Sequence, residues 1–374
     1  MSTSLRKANN LNSNDHNHPM PKLPTILFST TQGFNPGDEV ILMGIERLLA
    51  AAGIHYQKRI YDRNPIHKQQ RIDALSDNQK QALDYVIFAG TPEWCSEFPS
   101  LGDLLKGPYS GRFFARILRL RQTDRSNDPL LRHILKQRIH CAFLGVGSSK
   151  PPVATHKIDQ ILRELTELFI VRDPQTASCF TLYQPQQAPC PAFFCSDQTT
   201  PRHSLNKIGI TLQAPHSNLI RMDRSGFEYA INTFHKVQQH FTNVELICHS
   251  KRDAEYLKTV ASRTKINIIS SGESLLETYQ QFDAILSTRL HGCVAACSLG
   301  LPTFQLWHGL RMSTLNQLPV DNSEGEACAI KWLENMDIAA HSQAILDQKQ
   351  QAFSYYLTQM ESLTAHFKSL NHLD

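Results

Sequence analysis

A chain of 374 residues with a formal charge of +4 and 41% hydrophobic residues has an ordinary globular composition, long enough for two domains and too mildly basic to argue for nucleic acid. No apolar run approaches the roughly 18 residues that a membrane-spanning helix requires. The nine cysteines are scattered with no CxxC pair, which argues against a disulfide framework or a zinc site and suits a reducing compartment, so a cytoplasmic protein is expected.

Residues 1–21 are rich in Asn and Ser, lack an apolar signal core and read as a disordered tail, in which His16 and His18 are too sparse to suggest a metal. A first domain, residues 22–195, opens on a strand at Thr25–Ser29, a polar loop, and a helix from Asp38 to Ala52 that Gly53 is placed to end. Strands follow at Ile54–Tyr61, Asp84–Ala89, Ile139–Leu144 and Leu168–Arg172, and helical patterns at Gln70–Gln81, Arg112–Arg121, Ile158–Glu167 and Gln175–Leu182. Pro185, Pro189, Pro191 and Pro201 punctuate residues 183–205, which read as the crossover between domains. A second domain, residues 196–335, alternates strands at Lys207–Leu212, Val244–His249, Ile266–Ile269, Asp283–Ser287 and Thr303–Leu306 with helices at Gly226–His240, Asp253–Ser262, Glu273–Gln281 and Gly292–Leu299. The last segment, residues 336–374, is polar and helical from Ile338 to Leu370 and is expected to brace the domains. Short buried strands alternating with helices predict an α/β fold of two Rossmann-like, doubly wound domains with a cleft between them.

In such sheets ligands bind at the carboxyl ends of strands, and several motifs fall there. Ser287-Thr288-Arg289-Leu290-His291-Gly292 places a guanidinium and an imidazole where a strand gives way to a helix, with Gly292 keeping the approach uncrowded. That pairing points to an anionic substrate and a proton transfer. Asn35-Pro36-Gly37-Asp38 follows the first strand: it reads either as a turn and helix cap, or as a loop whose Asp38 accepts a hydroxyl proton. Glu93-Trp94, in the loop after Ala89, suits a sugar, whose face stacks on the indole while its hydroxyls donate to the carboxylate; a core Trp with a surface Glu is the plainer reading. Gly145-Val146-Gly147 is a weak phosphate-loop signal, since Pro151 and Pro152 oppose a helix there. Arg172 is either an anion ligand or half of an ion pair with Asp173, Arg311 either a second anion ligand or an ordinary surface arginine, and His249 reads as a loop residue. Arg112, Arg116 and Arg119 share a helical face, either simply solvated or set against an anionic membrane surface.

Taken together, NPGD at 35–38, the GTPEW loop at 90–94, Arg172-Asp173, STRLHG at 287–292 and Gly300-Leu301-Pro302 resemble the polysaccharide pyruvyl transferase family over roughly Thr25 to Gln317. The resemblance implies a GT-B-like pair of domains and transfer of a pyruvyl group from phosphoenolpyruvate to saccharide hydroxyls, forming a ketal in cell-surface polysaccharide or glycan biosynthesis. It implies donor recognition by Arg172, His291 and a later basic residue, here Arg311 where the family often has Lys. Arginine there binds an anion but cannot serve as an acid or base. The expected catalytic residues are His291, Asp38 and Glu93, and the expected substrate-binding residues are Arg172, Arg289, Arg311, Asn35, Gly37, Trp94 and Gly292. No metal and no cofactor are expected, phosphoenolpyruvate being the donor substrate, and the partner is a saccharide acceptor rather than nucleic acid. A lipid-linked acceptor would make the stretch from Arg112 to Arg121 a peripheral contact with the inner face of the membrane. Two other readings stand beside this one: a nucleotide-sugar glycosyltransferase of the same architecture, and a non-catalytic saccharide-binding relative.

Overall fold

Strands covered on both faces read as continuous apolar runs, and β1 (Thr25–Thr30), TILFST, is buried at all six positions. The computed structural model describes residues 23–30, 35–62, 83–90, 129–147, 156–215, 224–261, 264–306, 312–322 and 326–371. The tail at 1–21 and the helices expected at Gln70–Gln81 and Arg112–Arg121 lie outside them. The first sheet adds β2 (Gln57–Asp62), β3 (Tyr85–Ala89), β4 (His140–Val146), β5 (Thr166–Val171) and β6 (Gln186–Gln187), in the order β2-β1-β3-β4-β5-β6. The second comprises β7 (Ile208–Thr211), β8 (Val244–Cys248), β9 (Ile266–Ile268), β10 (Ala284–Ser287), β11 (Thr303–Gln305) and β12 (Val320–Asp321), in the order β12-β11-β10-β7-β8-β9. Every pairing is parallel. Strand order reverses between β1 and β3 in one sheet and between β7 and β10 in the other, so each lobe has a topological switch point of the kind that holds ligands.

Helix α1 (Pro36–Ala51) shows why the two lobes hold together. Asn35 caps it, Pro36 begins it, and Val40, Ile41, Ile45, Leu48 and Leu49 are fully buried. Each such side chain contributes about 1.5–3 kcal/mol of burial. One continuous core joins Phe28 and Ile87 of the first sheet, Ile41 and Ile45 of α1, and Ile285 and Val294 of the second lobe. Further clusters cover the outer faces, one where α2 (Pro129–Gln137) and α3 (His156–Leu165) pack on the first sheet through Ile134 and Leu162, the other where α5 (Arg224–His240) packs on the second through Phe234.

The remaining helices are α4 (Pro174–Cys179), α6 (Lys251–Val260), α7 (Gly272–Tyr279), α8 (Leu290–Ser298), α9 (Glu326–Asn335), α10 (Ile338–Gln359) and α11 (Glu361–Asn371). Helix α10 is a strut across the chain: Lys349 Nζ donates to Ser196 O and Ser298 O at 2.7 Å each, and Tyr356 Oη donates to Pro189 O at 2.8 Å. Helix α11 returns to the first sheet, where Phe367 lies 5.0 Å from the Tyr85 ring.

Several expectations shift. The proline-punctuated segment 183–205, which runs from the first sheet to the second, is partly core: Cys190, Ala192, Phe193 and Phe194 are buried and Pro191–Phe194 forms a 3-10 turn against α1. Gly44 permits that contact, since a Cβ on it would fall 2.6 Å from the Pro191 carbonyl carbon. The expected helix at Ile158–Glu167 is α3, which ends at Leu165, and the strand that follows begins at Thr166, ahead of the expected Leu168. Helices α2 and α9 are additions to the predicted set. No helix of the described residues is long and apolar enough to cross a membrane.

Candidate active site

Three loops of the first lobe meet at one guanidinium. Arg172, directly after β5, is only 1% exposed. Its Nη1 donates to Gly90 O at 3.2 Å, directly after β3. A Cβ on Gly147, after β4, would lie 2.6 Å from Arg172 Cζ, so this glycine makes room for the guanidinium. The weak GxG signal therefore marks an arginine's berth. Asp173 is a loose partner: its Oδ2 is 3.9 Å from Arg172 Nε, while its Oδ1 accepts from Thr176 N at 2.7 Å to cap α4, and Oδ2 accepts from Thr314 Oγ1 at 3.2 Å. Arg172 Nε is buried with no hydrogen-bond acceptor among the described residues.

The fourth loop of this lobe starts α1. Asn35 Oδ1 accepts from Gly37 N at 3.1 Å, so Asn35 serves as the cap, and Asp38 in the first turn is 7% exposed. Burial raises the Cys190 thiol's pKa, Arg172 opposes that shift and Asp38 adds to it, which places this carboxylate and the guanidinium in one electrostatic neighbourhood.

The second lobe contributes the start of α8 at its switch point. Arg289 precedes the helix without making a side-chain cap, and the positive end of the helix dipole lies at this point. His291 lies in that turn and reaches into the first lobe: its Nε2 is 3.3 Å from Arg172 Nη1, and a Cβ on Gly37 would fall 2.6 Å from its Nδ1. Arginine has donors only, so His291 Nε2 is the acceptor and the neutral ring carries its proton on Nδ1. Gly292 is required by packing, since a Cβ there would meet Ser287 Oγ at 2.6 Å.

Arg289 takes a different place from the one its position in the motif suggests. Its guanidinium pairs with Asp253, which is fully buried and also accepts from Ser250 Oγ at 2.8 Å and Ala214 N at 3.0 Å. Nearby, His249 lies in the loop after β8, as expected, but is buried there: its Nε2 is 3.1 Å from Tyr279 Oη, which in turn is 2.7 Å from Thr211 Oγ1. Burial, reinforced by Arg289 and His291, holds the His249 pKa well below the ordinary histidine value. Its place after a β8 strand end was the available sequence signal; Asp253 and Tyr279 gave none, because both are reached only through tertiary packing.

The structure thus brings Arg172, His291, Gly37, Gly90 and Gly147 together across the two lobes, with Asp38 beside them. Glu93, Trp94 and Arg311 lie outside the described residues, although Met312–Gln317 docks on Arg172-Asp173 through Thr314 and through Gln317 Nε2, which donates to Arg172 O at 3.0 Å. Two surface cavities of about 370 and 350 Å³ lie further along α1 around Arg47 and Gln198 and share no residue with this cluster.

The family model for polysaccharide pyruvyl transferase matches residues 35–308, a span that contains every element of this cluster. The chain belongs to the polysaccharide pyruvyl transferase family. Membership places it among transferases with a saccharide acceptor. No curated protein matches this pyruvyl transferase family member. Among solved structures, a protein assigned as a UDP-N-acetylglucosamine 2-epimerase from Listeria monocytogenes superposes with a TM-score of 0.52 at 8% identity, over 93% of this chain and 97% of that one. UDP-GlcNAc 2-epimerase from Neisseria meningitidis gives 0.48 at 9% identity, over 90% and 98%. The glycosyltransferase SnogD from Streptomyces nogalater gives 0.44 at 12% identity, over 93% and 100%. The first of these supports the two-domain GT-B-like fold, and the fold alone.

Proposed function

We propose that this protein transfers a pyruvyl group from phosphoenolpyruvate to two hydroxyls of one saccharide, closing a cyclic ketal. The observation that carries the reading is Arg172, a 1% exposed guanidinium whose described partners are one carbonyl, one imidazole nitrogen, the Cys190 thiol and one carboxylate at 3.9 Å, with no close anion among them. A charge so deeply buried is costly unless a close anion accompanies it. A small donor with a carboxylate and a phosphate supplies that anion, and the positive end of the α8 dipole favours its second charge.

In this scheme the donor takes over Arg172 Nη1 and releases His291 Nε2. The arriving negative charge favours protonation of the ring, which then delivers a proton to the terminal methylene carbon of the enol. The π electrons form the new C–H bond and leave an oxocarbenium at the adjacent carbon. A saccharide hydroxyl adds there as Asp38 takes its proton; the bond to the phosphate oxygen breaks with its electron pair, and a second hydroxyl closes the ring as it loses its proton. Arg289, neutralised by Asp253, orients the turn that carries His291. Glu93 as an alternative base, Trp94 as a stacking face and Arg311 as a second anion ligand complete the proposal. No step is routed through a cofactor. The biological setting that fits is assembly of a cell-surface glycan on the cytoplasmic side of a membrane.

The test is donor turnover by the full chain with free and lipid-linked saccharides. Phosphate released from phosphoenolpyruvate only when saccharide is present is the expected result, and His291→Ala lowers the rate about 10²–10⁴-fold. Release of nucleoside diphosphate from nucleotide sugars, with no turnover of phosphoenolpyruvate, overturns the proposal in favour of a glycosyltransferase. Saccharide binding with neither donor consumed leaves a binding protein.

A further inference from the structure

A second cluster of chemistry-bearing side chains sits at the opposite edge of the first sheet, at the amino ends of its strands. His140 is the first residue of β4, Glu167 the second of β5, and His366 lies within α11. His140 Nδ1 and His366 Nδ1 approach the same oxygen, Glu167 Oε1, at 2.9 and 2.7 Å, and the three ligand atoms lie within 4.8 Å of one another. We propose that His140, Glu167 and His366 bind a divalent transition ion of the zinc class, which fastens the last helix to the first sheet.

Three features distinguish this cluster from a chance meeting of polar side chains. The β4–β5 register slips between Cys141 and Ala142, whose partners are Thr166 and Leu168, so Glu167 is the extra residue of a bulge. Bulges re-aim a side chain, and this one accompanies the turn of the carboxylate toward both imidazoles. Second, Tyr85 Oη donates to the other carboxylate oxygen at 3.3 Å, as outer-shell groups do when they orient a metal-binding carboxylate. Third, His140 Nδ1 is buried and, despite the 2.9 Å approach, makes no hydrogen bond, so its direction suits a lone pair aimed at an ion better than an N–H aimed at oxygen.

Two imidazoles and one carboxylate suit zinc and its neighbours, whereas magnesium and calcium prefer all-oxygen sets. Ligand atoms bound at about 2.0–2.2 Å in a tetrahedron stand about 3.3–3.5 Å apart. Spreading from 2.7 and 2.9 Å to that spacing takes roughly half an ångström, within reach of side chains at a partly exposed rim. The His140 side chain is 44% exposed although its Nδ1 is buried, so the cluster lies just beneath the surface at the rim of the sheet. The ion would tie β4, β5 and α11 together where Phe367 already packs against Tyr85.

The full chain, stripped with a chelator and titrated with zinc, tests this by calorimetry, by metal content after gel filtration, and by thermal melting. One ion per chain, a raised melting temperature, and binding weakened at least about 100-fold in His366→Gln and Glu167→Gln are expected, with about tenfold weakening in Tyr85→Phe. His16→Ala combined with His18→Ala should retain full binding. Should His366→Gln fail to fold, His140→Gln, at a partly exposed side chain, decides the matter. A native chain that takes up no zinc, or cluster variants that bind it as tightly as the native chain, overturns the proposal.

Discussion

Gly37→Ala isolates the contact by which the first lobe positions His291. The added Cβ would stand 2.6 Å from His291 Nδ1, 2.7 Å from its Cβ and 2.9 Å from its Cγ, whereas ordinary contact begins near 3.4 Å. Relief demands a displacement of roughly 0.8 Å, enough to break the 3.3 Å contact between His291 Nε2 and Arg172 Nη1. A misplacement of about 1 Å at reacting groups costs around 10²-fold in rate. Overpacking costs about 1–3 kcal/mol, and alanine's helix preference returns up to about 1 kcal/mol of it, so the net loss of stability stays near 2 kcal/mol or less. The assay pairs initial rates of phosphate release from phosphoenolpyruvate with donor affinity by calorimetry and with thermal melting. A fall of about two orders of magnitude in turnover, with only a small drop in melting temperature, is expected. Native turnover and native donor affinity in a folded Gly37→Ala protein would refute the claim that this contact sets the site.

Arg172→Met separates function from stability: removing a buried, sparsely paired charge should leave the unfolding free energy unchanged or raise it by about 1–2 kcal/mol, while donor affinity falls at least about 100-fold. Denaturant melts beside phosphoenolpyruvate titrations check both halves, and a strongly destabilised variant would mark Arg172 as structural instead. His249 gives a pH signature. Its folded pKa lies below the ordinary value near 6.5, so in acid the unfolded state binds the extra proton first, and the native state loses stability as pH falls below about 6.5. Unfolding free energies measured at several pH values should therefore decline more steeply in the native chain than in His249→Gln, and parallel profiles would contradict the assignment.

Much of the fold was legible because strands covered on both faces leave a plain mark: Ala284-Ile285-Leu286 and Tyr85-Val86-Ile87-Phe88 are apolar runs of strand length. Burial of the segment between the two sheets was not legible, because prolines disrupt helices and ladders without forbidding burial, and Pro191 lies in the core beside Gly44. Of the site, Arg172 and His291 were legible because each directly follows or lies just beyond a strand's carboxyl end. That Arg289 is paired with a carboxylate was not, because its partner is Asp253, on another helix, and no local pattern reveals that pair. The same holds for His140, Glu167 and His366, which only a bulge and a returning C-terminal helix bring together.

The most direct test of the donor site is a crystal structure of the full chain with phosphoenolpyruvate bound. An acidic oxygen of the donor within hydrogen-bonding distance of the Arg172 guanidinium, with the imidazole of His291 beside its methylene carbon, is the predicted result. Phosphoenolpyruvate bound elsewhere, with the Arg172–His291 contact intact, would contradict the account.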